Sequence, residues 1–305
     1  MSKINIRYII GFFFCISALV GNTFKSEAQI VVEPLFEYPT APEEMESITE
    51  RCDFIVTNFW NKFDFKQKST VDQNALNDAM NVYLTSIYYG SEIVGKSEYD
   101  KLVEKVSKNP VLLTQFLKAA EENLYGNRAE FWNDSMYLKM LEAYLKNKKI
   151  PESRKSKYQK QYDALKVSQI GLPMPEFDFL DKNKEPKRYF PMSTPTLLLF
   201  GDPSQTEWRM ARLKMETNLA LTEALEKGKV NIIYIVSVPS ETWQSEVSNY
   251  SSKWTLGQSD SIGSQIDVRV LPTLYLVGSE GNIILKNVSL EAAVTALLDL
   301  VNLSN

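Results

Sequence analysis

From Pro34 to about Leu165, apolar residues return every three or four positions, the repeat of a single helix face. Met45, Ile48, Cys52, Ile55 and Phe59 form the first such stripe, and Thr40-Ala-Pro-Glu43 ahead of it reads as a capping box. The same spacing predicts helices over 74–89, 97–107, 110–124, 133–146 and 153–167. In the fourth of these, Met136, Met140, Leu141 and Tyr144 mark the apolar side, a stripe that reads as core rather than as a cofactor box.

After Ile170-Gly-Leu-Pro-Met-Pro175 the pattern changes to strands alternating with helices. Strands are predicted over 177–180 and 196–200, and 230–238 has the β-branched density of a strand buried on both faces. Strands at 274–277 and 283–286 flank Ser279-Glu-Gly-Asn282, a hairpin signal. One helix is predicted over 207–227, stopped by Gly228, and Leu290, Ala293, Val294, Leu297 and Val301 give the last helix its apolar stripe. The order is β-β-α-β-α-β-β-α behind an all-helical first half, with no internal repeat, low-complexity tract or Gly-rich phosphate loop.

Charge and composition narrow the function classes. Lys3 and Arg7 precede an apolar run over 8–20 that is shorter than a membrane span, and Ser26-Glu27-Ala28 offers small residues for a cut. An export signal over 1–28, cleaved near Ala28, is the expectation, with no transmembrane span in the mature chain. Cys15 follows Phe12, Phe13 and Phe14, which is no lipid-attachment context. Cleavage removes Lys3, Arg7, Lys25 and Glu27, taking the net charge from −4 to −6, a balance unsuited to nucleic acid. The mature chain keeps one cysteine, Cys52, so it has no intramolecular disulfide. On its apolar stripe Cys52 reads as a buried small hydrophobe.

Histidine is absent, which removes Ser-His and Cys-His nucleophiles and the usual zinc ligand sets. No cofactor is expected. Carboxylate catalysis is the chemistry left open, and 38 Asp and Glu residues single out no pair. The basic run of Lys146, Lys148, Lys149, Arg154, Lys155, Lys157 and Lys160 straddles Ile150-Pro151 and reads as a solvated hinge.

Three segments, in order and at fitting distances, resemble the thioredoxin-like proteins of bacterial envelopes, the TlpA/ResA-like group. Gly171-Leu-Pro-Met-Pro-Glu-Phe177 resembles their opening G-x-x-x-P-x-F motif. Phe200-Gly-Asp-Pro-Ser204 resembles the strand-to-helix turn before the cysteine pair, and Val270-Leu-Pro-Thr-Leu-Tyr-Leu276 the segment carrying the cis-proline. The likeness covers about 169–303 and implies an α/β thioredoxin fold over 169–305, preceded by an all-α helical domain over 29–168. Phe36-Glu-Tyr-Pro, Arg51 to Trp60, Phe63-Asp-Phe65 and Leu124 to Trp132 are similar to a domain of unknown function found ahead of such domains.

The resemblance places Gln205 and Trp208 at the two Cys-x-x-Cys positions. In the active family a thiolate at a helix N-terminus attacks a disulfide, and a second cysteine one turn later resolves the product. Gln205 and Trp208 do neither. Pro272 takes the place of the cis-proline, and Asp202, Pro203 and Leu271 border the groove that the family uses for substrate. Trp243, Tyr250 and Trp254 fall where the family has a helix beside the site, and read as packing residues. The expectation is an exported, redox-inactive binding or adaptor module of the periplasm or cell envelope, with a peptide, protein or glycan partner. The alternatives are a thiol-disulfide oxidoreductase working through Cys52 with a partner thiol, a carboxylate-based enzyme, or a sheet half that only stabilises the helical half.

Overall fold

The computed structural model describes residues 33–126, 129–237, 243 and 246–303. The predicted export signal lies outside the described residues. Pro34–Asn305 gather into one compact unit with one apolar core among the helices and one on each face of a sheet.

Helices α1 (Ile48–Asn58), α2 (Gln73–Tyr89), α3 (Glu92–Ser107), α4 (Pro110–Ala120), α5 (Asp134–Lys146) and α6 (Ser156–Val167) make up the first half. Their starts follow local chemistry. Asp72 accepts from the Ala75 N–H, Asn133 accepts from the Met136 N–H, and Asn109 precedes Pro110 at the first turn of α4. The core between them is aromatic: Trp60 lies 5.5 Å from both Phe36 and Tyr83 and 5.2 Å from Phe116, ring centre to ring centre.

Several boundaries differ from expectation. The cap of α1 is Ser47, which accepts from the Glu50 N–H at 3.4 Å, so Thr40 to Glu43 cap nothing. Met45 therefore precedes the helix, and Ile48 is exposed. Helix α3 starts five residues before the predicted 97 and so includes Gly95, where a Cβ would stand 2.7 Å from Ile87. The glycine that weakens the helical pattern is what lets α2 and α3 approach. The helix predicted over 110–124 ends at Ala120 and passes into a π turn, Glu121–Tyr125. In the basic run Lys155 is buried, its Nζ 2.8 Å from Glu152, so this one lysine departs from the solvated reading.

The second half is a seven-stranded mixed sheet in the order β2-β1-β5-β4-β3-β6-β7. Its strands are β1 (Phe177–Asp181), β2 (Pro186–Tyr189), β3 (Thr196–Gly201), β4 (Asn231–Val236), β5 (Thr255–Gln258), β6 (Thr273–Val277) and β7 (Ile283–Lys286). Strands β3, β4 and β5 are parallel, and the other pairs are antiparallel. Every residue of β3 is buried, as its unbroken apolar run requires.

The helix predicted over 207–227 is two, α7 (Thr206–Glu216) and α8 (Leu219–Glu226). Asn218 divides them by accepting from the Leu221 N–H at 3.0 Å. The last helix is α9 (Leu290–Leu303). Helices α7, α8 and α9 contribute Trp208, Leu221 and Leu297 to the core on one sheet face. The fold is a helical first half followed by a thioredoxin-fold sheet half, as the sequence predicts.

Candidate functional site

Strand β3 delivers the chain to a tight turn. Asp202 Oδ1 accepts from the Ser204 N–H at 2.9 Å, and the Asp202 carbonyl accepts from the Gln205 N–H at 3.1 Å. Gln205 is the N-cap of α7, its backbone extended and its carbonyl accepting from the Arg209 N–H at 3.2 Å. Gln205 and Asp202 are half-buried, Pro203 is buried, and Ser204 and Thr206 are exposed. Strand β6 runs antiparallel to β3 with Thr273 opposite Phe200. Leu271 and Pro272, just ahead of β6, therefore flank the same turn, and both are half-buried. The Leu271–Pro272 peptide is cis.

Trp208, in the first turn of α7, is fully buried. Its indole stacks on the Tyr234 ring with centroids 3.6 Å apart and planes at 9°, and its Nε1–H donates to the Tyr250 hydroxyl at 2.9 Å. Gly201 makes the room, since a Cβ there would stand 3.3 Å from the indole. Trp243 meets Tyr234 and Tyr250 edge-on, Trp254 meets Tyr250, and the Arg212 guanidinium lies 4.6 Å from the Tyr250 ring centre. All three of Trp243, Tyr250 and Trp254 are buried, in keeping with packing roles. Residues 238–242, 244 and 245 lie outside the described residues.

Cys52 is on α1 in the helical half, away in sequence and in fold from the turn at Gln205. It is buried and free, and burial pushes its thiol up, with Asp53 adding to the rise and Arg51 opposing it. A thiol held this way is predominantly protonated at neutral pH, the wrong state for a nucleophile.

Around Asp267 and Arg269, a few residues ahead of Pro272 in sequence, the structure assembles an ionic cluster the sequence reading did not foresee. Asp267 accepts from Arg269 Nε at 2.9 Å and from Lys286 Nζ at 2.5 Å. Asp134, at the start of α5 in the helical half, accepts from Arg269 Nη2 at 2.6 Å and from Lys286 Nζ at 2.8 Å. The Asp267, Arg269 and Lys286 side chains are 1%, 3% and 3% exposed, so two carboxylates and two cations neutralise each other almost without water. The Arg269 guanidinium also lies 4.1 Å from the Tyr125 ring centre and 5.5 Å from that of Trp132, a cation–π contact, and its Nη1 is buried without a hydrogen bond. The Asp267 N–H donates to Ser168 Oγ at 3.0 Å, and the Tyr275 hydroxyl donates to the Asp267 carbonyl. Burial pushes the Asp267 carboxyl up, but Lys286 and Arg269 together outweigh it and hold the group below its ordinary value. The signal was present: Asp267 and Arg269 interrupt an otherwise apolar run ahead of Pro272.

Two cavities stand out among the described residues. One of about 410 Å³ is lined by Gln73, Asn77, Glu121, Glu122 and Lys157 beside the π turn. Another of about 380 Å³ is lined by Lys182, Ser251, Ser252, Tyr250 and Trp254. Among the described residues no group of three or more His, Cys, Asp or Glu side chains is arranged to hold a metal ion, and no helix is long and apolar enough to cross a membrane.

A sheet of this order, a helix opening at the end of β3 and a cis-proline opposite it define a thioredoxin-fold protein. A thioredoxin-like protein from Bacteroides caccae matches 87% of this chain and 98% of its own at 17% identity, with a TM-score of 0.70, so the likeness of fold extends through the helical half. Other Bacteroides structures match only part of the chain. A conserved protein of unknown function from Bacteroides fragilis shares 24% identity over 43% of this chain and 99% of its own, with a TM-score of 0.40. The thioredoxin domain of a thiol-disulfide oxidoreductase from Bacteroides vulgatus shares 16% over 44% of this chain and 99% of its own, at 0.39. Residues 18–168 match the family described as domain of unknown function DUF5106. No curated protein matches the chain.

Proposed function

We propose that this chain is an exported, redox-inactive thioredoxin-fold protein that works as a binding or adaptor module in the periplasm or cell envelope, with a peptide, protein or glycan as partner. In this reading 1–28 is a signal peptide cleaved near Ala28, 29–168 a helical domain and 169–305 the thioredoxin-like domain. Trp208 carries the proposal. At the position where dithiol chemistry needs a resolving sulfur stands an indole, stacked on Tyr234 and bonded to Tyr250. Gln205 caps the helix where a nucleophilic thiolate belongs. In this reading Asp202, Pro203, Leu271 and Pro272 border a binding groove that lacks the reaction.

The alternatives find less support. Burial and a raised pKa work against Cys52 as a nucleophile. Asp134 and Asp267, the carboxylates that the cluster brings together, are both occupied by Arg269 and Lys286, which works against a general acid or base there. A single preparation tests the reading. Protein recovered from the envelope fraction of its native host is expected to begin near Gln29, and its one thiol to react with an aromatic disulfide reagent only after unfolding. Full-length chain confined to the cytoplasm would contradict export, and rapid labelling of the native protein would contradict the inert thiol.

A further inference from the structure

One end of the helical bundle is apolar and open to solvent. Helix α1 begins at Ile48, α2 ends at Tyr88-Tyr89, and α3 begins at Glu92-Ile93. Asp53, midway along α1, holds that helix to the start of α3 by accepting from the Ser91 N–H at 2.7 Å and from the Ser91 hydroxyl at 2.8 Å. Ile48 lies five residues before Asp53, roughly 7.5 Å along the helix axis. Ile48 is 69% exposed, Tyr88 62%, Tyr89 50% and Ile93 83%. The Tyr88 ring stacks on Phe131 at 4.3 Å, which carries the apolar surface on to the exposed Trp132. Single exposed apolar residues are ordinary, but Tyr88, in ring contact with both Tyr89 and Phe131 and five residues before Ile93, belongs to a group of them, and such a group marks an interaction surface.

The charges that flank these residues in sequence are mainly acidic. Glu46 and Glu50 flank Ile48, and Glu92 adjoins Ile93; all are exposed. Glu43 and Glu44 belong to the segment held against the first turn of α1, where Arg51 donates to the Pro42 and Met45 carbonyls at 3.1 Å. Among the described residues none of these five carboxylates is in an ion pair, Arg51 donates to carbonyls, and Lys96, a turn beyond Glu92, is an exposed cation. An apolar centre inside an acidic rim selects a partner that is apolar and cationic.

We propose that this end of the bundle docks a partner segment in which Lys or Arg residues flank apolar ones. A second copy of this chain would set carboxylates against carboxylates, and an anionic lipid surface would be repelled by the same rim. Neither Gln205 nor Pro272 takes part, so the failure of this proposal leaves the reading of the groove untouched.

The test is fluorescence anisotropy on the mature full chain with a labelled peptide repeating Lys-Leu-Phe-Lys, against a Lys-Ser-Ser-Lys counterpart of equal charge. The first peptide is expected to bind saturably and the second at least about tenfold more weakly, the scale of one well-placed apolar anchor. Tyr88→Ser with Ile93→Ser, and separately Glu46→Lys with Glu50→Lys and Glu92→Lys, should each weaken the first peptide by a similar factor, and added salt should weaken it further. These positions are exposed, so circular dichroism should show each variant folded. Equal affinity for the two peptides, or unchanged affinity in the Tyr88 and Ile93 variant, overturns the proposal. So does concentration-dependent dimerisation lost on those substitutions, which assigns the surface to a second copy. Binding to phosphatidylglycerol vesicles through the same residues overturns it in favour of a lipid surface.

Discussion

Arg269→Ala lowers the folding stability of the chain by about 3–5 kcal/mol, the cost of removing one partner from a buried ion pair. The size follows from what is left behind. Arg269 answers both Asp267 and Asp134, and its loss leaves Lys286 alone against two carboxylates, one of them in a site almost without water. The Tyr125 ring loses the guanidinium stacked on it as well. Because Asp134 belongs to the helical half and the other three to the sheet half, the loss falls on the contact between halves. Urea unfolding followed by circular dichroism measures it, and a loss below about 1 kcal/mol, the range of ordinary surface changes, contradicts the account.

The same cluster sets an acid limit. The folded-state pKa of Asp267 lies below the unfolded value of about 3.9, so its contribution is complete above that pH and is lost as pH falls through the folded value. Arg269→Ala should flatten this part of the stability profile, since the partners that depress the carboxyl are then reduced to Lys286.

Trp208→Ala is expected to cost about 3–5 kcal/mol, the range for emptying a large aromatic from a core. The indole packs against Gly201 on one side and stacks on Tyr234, which in turn stacks on Tyr250. Tyr250 also loses the hydrogen bond it accepts. Trp208→Phe keeps the stacked ring and gives up the N–H, so its cost should be nearer the roughly 1 kcal/mol of a single hydrogen bond plus the smaller ring. Chemical denaturation of both variants separates the two terms, and an alanine variant as stable as the parent would mean that Trp208 does not organise this core. The cavity also shows why a cysteine pair installed at Gln205 and Trp208 would have to overcome a large packing loss before any disulfide could form.

Strands buried on both faces were legible because their apolar runs are long and bounded: β3, β4 and β6 stand within a residue or two of their predicted limits. Strands β2 and β5 were not, because β2 buries only Tyr189 and β5 is four residues long with Gly257 inside, and neither offers a pattern to read. The division of α7 from α8 rests on one side chain, Asn218, in a sequence that otherwise keeps its helical repeat. Local chemistry of this kind misled in the other direction at Thr40, where a plausible capping box lost to Ser47. At the candidate site, the turn, the helix start and the cis peptide bond at Pro272 were all readable from short motifs. The Asp134, Asp267, Arg269 and Lys286 cluster was not, since its members are brought together from positions up to 152 residues apart and only tertiary structure pairs them.

Insulin reduction tests most directly the proposal that this thioredoxin fold carries no dithiol chemistry. With dithiothreitol as electron donor, the mature protein is expected to leave the rate of insulin precipitation at the uncatalysed level, with no difference between parent and Cys52→Ala. Acceleration by the parent chain that disappears in Cys52→Ala would show that Cys52 performs the exchange and would contradict the account.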